Sequence, residues 1–150
     1  MTIFIGADHR GFQLKKNIAM RLRTRGYSVI DVGIYEEGVP CDYPKISREL
    51  GLKVRMTPGA CGILVCLTGI GHTIAANKIP GVYAALCYSK KAARLSREHN
   101  NANVLVLGAG FIKDREIHGI ITEWLKAEFE GGRHLRRVKQ IKAIEKEFLR

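Results

Sequence analysis

The sequence predicts an α/β protein: a three-layer α/β/α, Rossmann-like domain with a five-stranded parallel sheet and an appended C-terminal helix. Short apolar runs recur five times along the chain, and amphipathic segments with helical spacing separate them. Strands that alternate with helices favour a parallel sheet that is covered on both faces. The chain has 150 residues, of which 46% are hydrophobic, so we expect a single domain over residues 1–150.

Each element follows from a local pattern. The apolar runs predict strands at Ile3–Ala7, Ser28–Val32, Gly62–Cys66, Tyr83–Leu86 and Val104–Leu107. Helical spacing predicts helices at Phe12–Arg25, Pro44–Val54, His72–Lys78, Ser89–Glu98 and Asp114–Phe129. Ser89 and Asp114 have the side chains of N-caps, and Gly26 is a predicted C-cap.

The last segment, residues 133–150, lies beyond the fifth strand and follows a Gly131–Gly132 hinge. An apolar stripe at helical spacing predicts one more helix there, formed by Leu135, Val138, Ile141, Ile144 and Phe148. Such a helix can pack on its own domain or on a second subunit. We favour the second subunit, and hence a homodimer that can pair further into a tetramer.

Composition narrows the possible functions. No run of about 18 apolar residues is present, so we expect no membrane span. The first eleven residues have a strand pattern and reach charged residues too early for a signal peptide, which predicts a cytoplasmic protein. The formal net charge of +11 suggests anionic partners, but it is spread along the chain without a nucleic-acid motif. We therefore expect a phosphorylated small molecule rather than nucleic acid.

The four cysteines do not occur in Cys-x-x-Cys spacing, which argues against a zinc site and a disulfide framework. Cys41, Cys61 and Cys87 are expected to be small residues that are buried or half-buried. Cys66 differs because it ends a predicted strand and precedes a glycine loop and a helix. Ligands bind at such strand ends, and a helix N-terminus favours anions and lowers the pKa of a thiol. Cys66 is therefore a candidate reactive thiol beside an anion site.

The loop after Cys66 has glycines at 69 and 71, which allow the backbone to approach a ligand closely. It is not a dinucleotide fingerprint, because Ile74 takes the third glycine position, and no Walker lysine pattern is present. The alternative is a turn that simply needs glycine.

Three further clusters could contribute chemistry. Asp8 and His9 follow the first strand, although they could be an N-cap and a surface residue. His99 and Asn100 lie between a helix and a strand, where they could equally form a C-cap. Arg133 and Arg137 are four residues apart and so share a helix face, which suits either a phosphate clamp or a plain basic helix.

Taken together, these clusters resemble the ribose-5-phosphate isomerase B family, which also includes allose-6-phosphate and galactose-6-phosphate isomerases. The resemblance spans nearly the whole chain. It rests on Asp8-His9-x-Gly11, Asp42-Tyr43-Pro44, Cys66-x-Thr68-Gly69-Ile70-Gly71, Ala75-Ala76-Asn77-Lys78, Arg97-Glu98-His99-Asn100 and Glu130-Gly131-Gly132-Arg133-His134, which occur in the same order.

The resemblance implies an aldose–ketose isomerase that works through an enediolate, with no metal and no cofactor. It implies that Cys66 moves the carbon-bound proton and that His99, helped by Asp8, opens the sugar ring. Thr68 and the loop backbone would hold the developing oxyanion, the loop comprising Leu67, Gly69, Ile70 and Gly71.

The resemblance also assigns the substrate contacts. His9, Arg133 and Arg137 would bind the phosphate, Asn100 a sugar hydroxyl, and Tyr43 would pack against the sugar. The expected substrate pair is ribose 5-phosphate and ribulose 5-phosphate of the pentose phosphate pathway. The alternatives are a hexose 6-phosphate and a sugar-phosphate-binding protein without catalysis.

Strand geometry adds an inference about assembly. Cys66 ends one strand, whereas His99 precedes another, so in a parallel sheet they lie at opposite edges, about 15 Å apart for a five-residue strand. We therefore predict that His99 of a second subunit completes the site.

The chain departs from the family pattern at several positions. Leu67 replaces a usual glycine, Gly110 replaces a frequent arginine, Arg10 a small residue and His72 an apolar one. One hypothesis is that Arg10 or His72 replaces the charge that is missing at position 110.

Overall fold

The computed structural model describes residues 1–149, and a five-stranded sheet forms its centre. The strands are β1 (Thr2–Ala7), β2 (Ser28–Asp31), β3 (Cys61–Cys66), β4 (Ala84–Leu86) and β5 (Val104–Gly108). All neighbouring pairs are parallel, in the order β2-β1-β3-β5-β4. The predicted five-stranded parallel sheet is confirmed.

Helices cover both faces of the sheet. They are α1 (Phe12–Thr24), α2 (Tyr43–Met56), α3 (Ile70–Ala76), α4 (Lys90–Asn100), α5 (Asp114–Lys126) and α6 (Gly132–Phe148). One buried cluster joins the sheet to α1, α4 and α5, and it includes the fully buried Trp124 of α5. A second cluster joins the opposite face to α2 and α3 through residues such as Leu50 and Ala76. The three-layer prediction is therefore confirmed.

Only some of the helix caps predicted from the sequence are confirmed. Ser89 caps α4 as predicted, since its Oγ accepts a hydrogen bond from the N–H of Ala92 at 3.1 Å. The predicted cap Asp114 is wrong, because Lys113 is the cap and Asp114 is the first helical residue. Its charge still favours the positive end of the helix dipole there. Helix α1 is capped by Arg25, and Gly26 follows with a φ of +86°.

Helix α5 ends at Lys126, three residues before the predicted end. Ala127 is extended and buried, and the N–H of Glu130 donates to the carbonyl of Glu98 at 3.0 Å. The chain thus leaves the helix to pair with the end of α4.

Helix α6 begins one residue before its predicted start, and its predicted end, Arg150, lies outside the described residues. Val138 of the apolar stripe is buried. The other residues of the stripe are exposed, with exposed fractions that range from 40% for Ile141 to 77% for Phe148. Near its C-terminus, Glu145 accepts a hydrogen bond from the N–H of Gly81 at 3.0 Å. Helix α6 therefore touches its own chain and leaves an apolar face open.

The topology defines one natural binding edge. Strands β1 and β3 are neighbours, and the connections from them leave in opposite directions along the sheet. Ligands of open α/β sheets bind at the carboxyl ends of strands at such a switch point. Among residues 1–149, no helix is both long and apolar enough to cross a membrane.

Candidate active site

Asp8 and Cys66 meet at the switch point, because β1 ends immediately before Asp8 and β3 ends at Cys66. Both side chains are buried, and their polar atoms belong to one cluster with His72, in which one atom of each residue lies within 4.8 Å of the others. A carboxylate, a thiol and an imidazole therefore share the carboxyl edge of the sheet.

The Cys66 thiol lies under the start of α3. Burial raises its pKa, the backbone N–H groups of Gly69 and Thr68 oppose this by hydrogen-bonding the sulfur, and the nearby Asp8 carboxylate raises the pKa further. The predicted lowering of this pKa is therefore wrong for the chain by itself. Two N–H groups do not outweigh the loss of water and the negative neighbour.

The loop after Cys66 needs its glycine at position 69. Gly69 caps α3 with a φ of +80°, and a Cβ there would lie 2.5 Å from Leu86 Cδ1. Thr68 Oγ1 accepts a hydrogen bond from the N–H of Ile70 at 3.2 Å, and the Thr68 carbonyl accepts one from the Tyr88 hydroxyl at 2.7 Å. The Thr68 hydroxyl can thus donate its own hydrogen to a ligand.

Leu67 and Gly110 are a packed pair. A Cβ at Gly110 would lie 2.8 Å from Leu67 Cδ1 and 3.1 Å from the Leu67 carbonyl oxygen. The N–H of Gly110 also donates to that oxygen at 2.8 Å. The two departures at these positions are therefore one structural change, because the larger residue at 67 occupies space that a side chain at 110 would need.

Asp8 organises the turn between β1 and α1. Its Oδ1 accepts hydrogen bonds from the N–H groups of Arg10 at 3.0 Å and Gly11 at 3.1 Å. It does not cap α1, whose cap is Gly11. Gly11 permits a close approach to the sheet, since a Cβ there would lie 2.4 Å from the Val65 carbonyl oxygen. His9 and Arg10 are exposed beside this turn.

His72 is the residue that sequence reasoning misjudged most. It is fully buried, and burial lowers its pKa to about 4, so it is neutral at pH 7. The hypothesis that His72 supplies positive charge is wrong, whereas Arg10 remains a prediction. Ser47 Oγ lies 2.7 Å from His72 Nδ1, and the ring of Tyr43 meets the His72 ring edge-on.

Tyr43 also covers the loop. A Cβ at Gly71 would lie 2.6 Å from Cζ of Tyr43, so the glycine allows the aromatic ring to rest on the backbone. The Tyr43 side chain is 40% exposed. The ring therefore has one face on the loop and one open to a ligand.

A second group of side chains lies at the end of α4. The rings of His99 and His134 stack with their centroids 4.1 Å apart. A Glu130 carboxylate oxygen lies 3.4 Å from His134 Nε2 and 3.9 Å from His99 Nε2. Burial and the neighbouring His99 and Arg133 lower the pKa of His134. Sequence reasoning did not select His134 or Glu130 as site residues, although both lie in a motif that it quoted.

The predicted phosphate arginines belong to this second group. Arg133 and Arg137 are exposed residues of the first turns of α6, and they flank His134, which is buried. Neither forms a salt bridge within residues 1–149. Asn100 is the exposed last residue of α4, and Asn101 caps the helix with a φ of +52°. These groups are available to bind an anion.

The two groups lie at opposite edges of the sheet. Cys66 pairs with Gly108 at the carboxyl end of β5, whereas His99 precedes Val104, where that strand begins. A strand of this length separates them by about 15 Å. One chain therefore brings Asp8, His9, Tyr43, Thr68 and Cys66 together at one edge, and His99, Asn100, Arg133 and Arg137 at the other.

Comparison with known proteins identifies the family of the chain. Residues 3–141 match the ribose/galactose isomerase family. The chain is 46% identical over 147 residues to the probable ribose-5-phosphate isomerase B of Mycoplasma genitalium, covering 97% of each. Its structure is similar to ribose-5-phosphate isomerase B of Clostridium thermocellum, with a TM-score of 0.96, 46% identity and coverage of 99% and 100% of the two chains. It is also similar to the Mycoplasma genitalium structure with bound ribulose-5-phosphate, with a TM-score of 0.93, 45% identity and 97% coverage of each chain.

Proposed function

Because the chain belongs to the ribose/galactose isomerase family, we propose that it is an aldose–ketose isomerase that interconverts ribose 5-phosphate and ribulose 5-phosphate. The observation that carries this proposal is the buried contact of Cys66 with Asp8 at the switch point, beside a glycine loop. A proton-transfer group, a carboxylate and backbone donors at one sheet edge are what an enediolate mechanism requires.

The proposed reaction moves one proton between adjacent carbons. The Cys66 thiolate takes the proton from the carbon beside the aldehyde, and the electron pair forms the enediolate. The thiol then returns the proton to the former aldehyde carbon. The hydroxyl proton on the oxygen of the second carbon passes to the oxygen of the first, which gives the ketose. Thr68 and the N–H groups of the loop stabilise the oxygen that gains negative charge, and Thr68 has a free hydroxyl hydrogen for this purpose.

The second group opens the sugar ring and, together with His9 of the first group, binds the phosphate. His99 transfers the protons that open the sugar ring, and the stacked His134 with Glu130 positions its imidazole. Arg133 and Arg137 bind the phosphate together with His9. Two exposed guanidinium groups four residues apart on a helix suit this role.

The separation of the two groups supports a homodimer as part of this proposal. Each complete site then takes Cys66 from one chain and His99 from the other. The exposed apolar face of α6, with Leu135 and Ile141 among its residues, supports a contact between chains. We also propose a cytoplasmic location, because all four cysteines are free thiols, which suits a reducing compartment.

The test is conversion of ribose 5-phosphate in the presence of a chelator, by the wild type and by Cys66→Ala. We expect turnover by the wild type and a loss of at least about 100-fold in the variant, the usual effect of removing a general base. A wild type that is folded and dimeric but inactive on this sugar would refute the substrate assignment. Allose 6-phosphate and galactose 6-phosphate, tested in parallel, would then identify a hexose phosphate isomerase, and binding without turnover a sugar-phosphate-binding protein.

A further inference from the structure

The cluster of Asp8, Cys66 and His72 has the composition of a metal site. It offers one carboxylate oxygen, one sulfur and one imidazole nitrogen, all within 4.8 Å of one another, and all three side chains are buried. Asp8 directly follows β1, Cys66 ends β3 and His72 lies in the first turn of α3, so the sheet and a helix fix their positions independently.

The protonation of His72 follows from its neighbours. The Ser47 hydroxyl has one hydrogen, and it donates this to the carbonyl of Tyr43 at 3.1 Å. With the hydroxyl hydrogen on the Tyr43 carbonyl, Ser47 Oγ accepts from His72 Nδ1, which lies 2.7 Å away and carries the proton in this tautomer. The other nitrogen, Nε2, then holds a lone pair, and it is buried without a hydrogen-bond partner within the described residues.

This arrangement is the one that metal-binding histidines adopt. Such a histidine donates one ring N–H to a neighbouring acceptor, which fixes the tautomer and directs the second nitrogen at the ion. In this chain Ser47 is that acceptor, and it is fully buried. The unpartnered Nε2 costs stability unless something binds it.

We propose that Asp8, Cys66 and His72 bind a zinc-type divalent cation, and that the bound ion inhibits the isomerase. Sulfur and imidazole ligands select zinc or cobalt over magnesium and calcium, which prefer oxygen. As the metal–sulfur bond forms, the thiol releases its proton to solvent, and the three ligands leave a fourth position for water.

The ligands come from residues far apart in the chain, so this is not a Cys-x-x-Cys site. The absence of Cys-x-x-Cys spacing in the sequence therefore does not argue against this site. The inhibitory part of the proposal rests on the proposed function, because an ion on the Cys66 sulfur occupies the lone pair that would accept the substrate proton. The binding part does not depend on activity.

A second cluster provides the internal control. His99, Glu130 and His134 also have ligand atoms within 4.8 Å of one another, but they include no sulfur. Cobalt(II) distinguishes the two sites, since only cobalt bound to thiolate gives an intense sulfur-to-metal charge-transfer band.

The experiment adds cobalt(II) to the reduced full-length protein and records its absorption spectrum. We expect the charge-transfer band in the wild type and in Glu130→Gln, and its loss in Cys66→Ala. His72→Leu should weaken cobalt binding by about tenfold or more. No band in the wild type, or an unchanged affinity in His72→Leu, would overturn the site. Should His72→Leu not fold, Asp8→Asn replaces it with the same expectation.

Inhibition is measured separately, by adding zinc to the isomerisation assay and comparing each protein with its own metal-free rate. The wild-type rate should fall at least about tenfold, recover on chelation, and require about tenfold more zinc in His72→Leu. Zinc binding at the sulfur without loss of rate would overturn the inhibitory part. A cobalt–thiolate band in a protein without isomerase activity would support the metal site and refute the proposed function.

Discussion

Two inactive variants should restore activity to each other. Cys66→Ala removes the proposed base, and His99→Asn removes the proposed ring-opening group, so each alone should lose at least about 100-fold in kcat. Each residue lies at a different edge of its own sheet. If a site takes one residue from each chain, mixing the variants recreates an intact site.

The size of the recovery follows from this geometry. Random pairing of equal amounts makes half of the dimers mixed, and a mixed dimer has two kinds of site. One combines both substitutions and is inactive, whereas the other combines the intact Cys66 of one chain with the intact His99 of its partner. About a quarter of the wild-type activity per chain should therefore return.

The assay is ribulose 5-phosphate formation before and after the two variants are unfolded together and refolded. Differently tagged chains allow the mixed dimer to be isolated, which should have about half of the wild-type activity. Each variant refolded alone is the control. No recovery in an isolated mixed dimer would refute a shared site, because a site within one chain would carry a defect in every copy.

Three further predictions test other contacts. Lys15→Met should lower the free energy of unfolding, measured in urea, by about 3 kcal/mol, because the buried ammonium lies 2.8 Å from the Asp31 carboxylate and its loss leaves that charge unpaired. Adding Asp31→Asn to the same chain should recover part of this loss. A loss that stays the same in the double variant would contradict the pairing. Gly110→Val should be destabilising, and less so with Leu67→Ala, with a coupling energy of at least about 0.5 kcal/mol; strictly additive effects would contradict the packed pair. The pKa of His72 is about 4 in the folded chain and ordinary in the unfolded chain, so only the unfolded chain takes up a proton between these values. In buffer with chelator, the free energy of unfolding should therefore keep its full His72 contribution above pH 6.5 and fall by up to about 3 kcal/mol toward pH 4. His72→Leu should flatten the plot of unfolding free energy against pH between pH 6.5 and pH 4. An unchanged slope in this variant would refute the assignment of the pH dependence to His72.

The sequence was sufficient for the strands and most helices, because an apolar run or a helical stripe is a local property. It was least accurate where a distant contact decides the boundary. Helix α5 ends early because Glu130 pairs with the backbone of Glu98, which lies 32 residues before it. Helix α3 starts at Ile70, two residues before the predicted start, because Gly69 adopts the left-handed cap.

The same distinction applies to the candidate site. Asp8 and Cys66 were identifiable because Asp8 follows the first strand and Cys66 ends the third, both at the binding edge. The burial of His72 was not, since its partner Ser47 lies 25 residues away and on another helix. The packing of Leu67 against Gly110 could not be predicted from the sequence either, because the two residues appeared there as separate departures from the family pattern.

The separation of the two groups also explains why assembly and catalysis would be coupled in this fold. The amino and carboxyl edges of a parallel sheet cannot meet within one chain, yet the proposed chemistry needs a thiol from one and an imidazole from the other. The apolar stripe of α6 follows directly after Arg133 and His134, so the helix that offers the phosphate contacts also offers the contact surface. Dilution that separates the chains should therefore abolish turnover while each chain remains folded, since both buried clusters lie within a single chain.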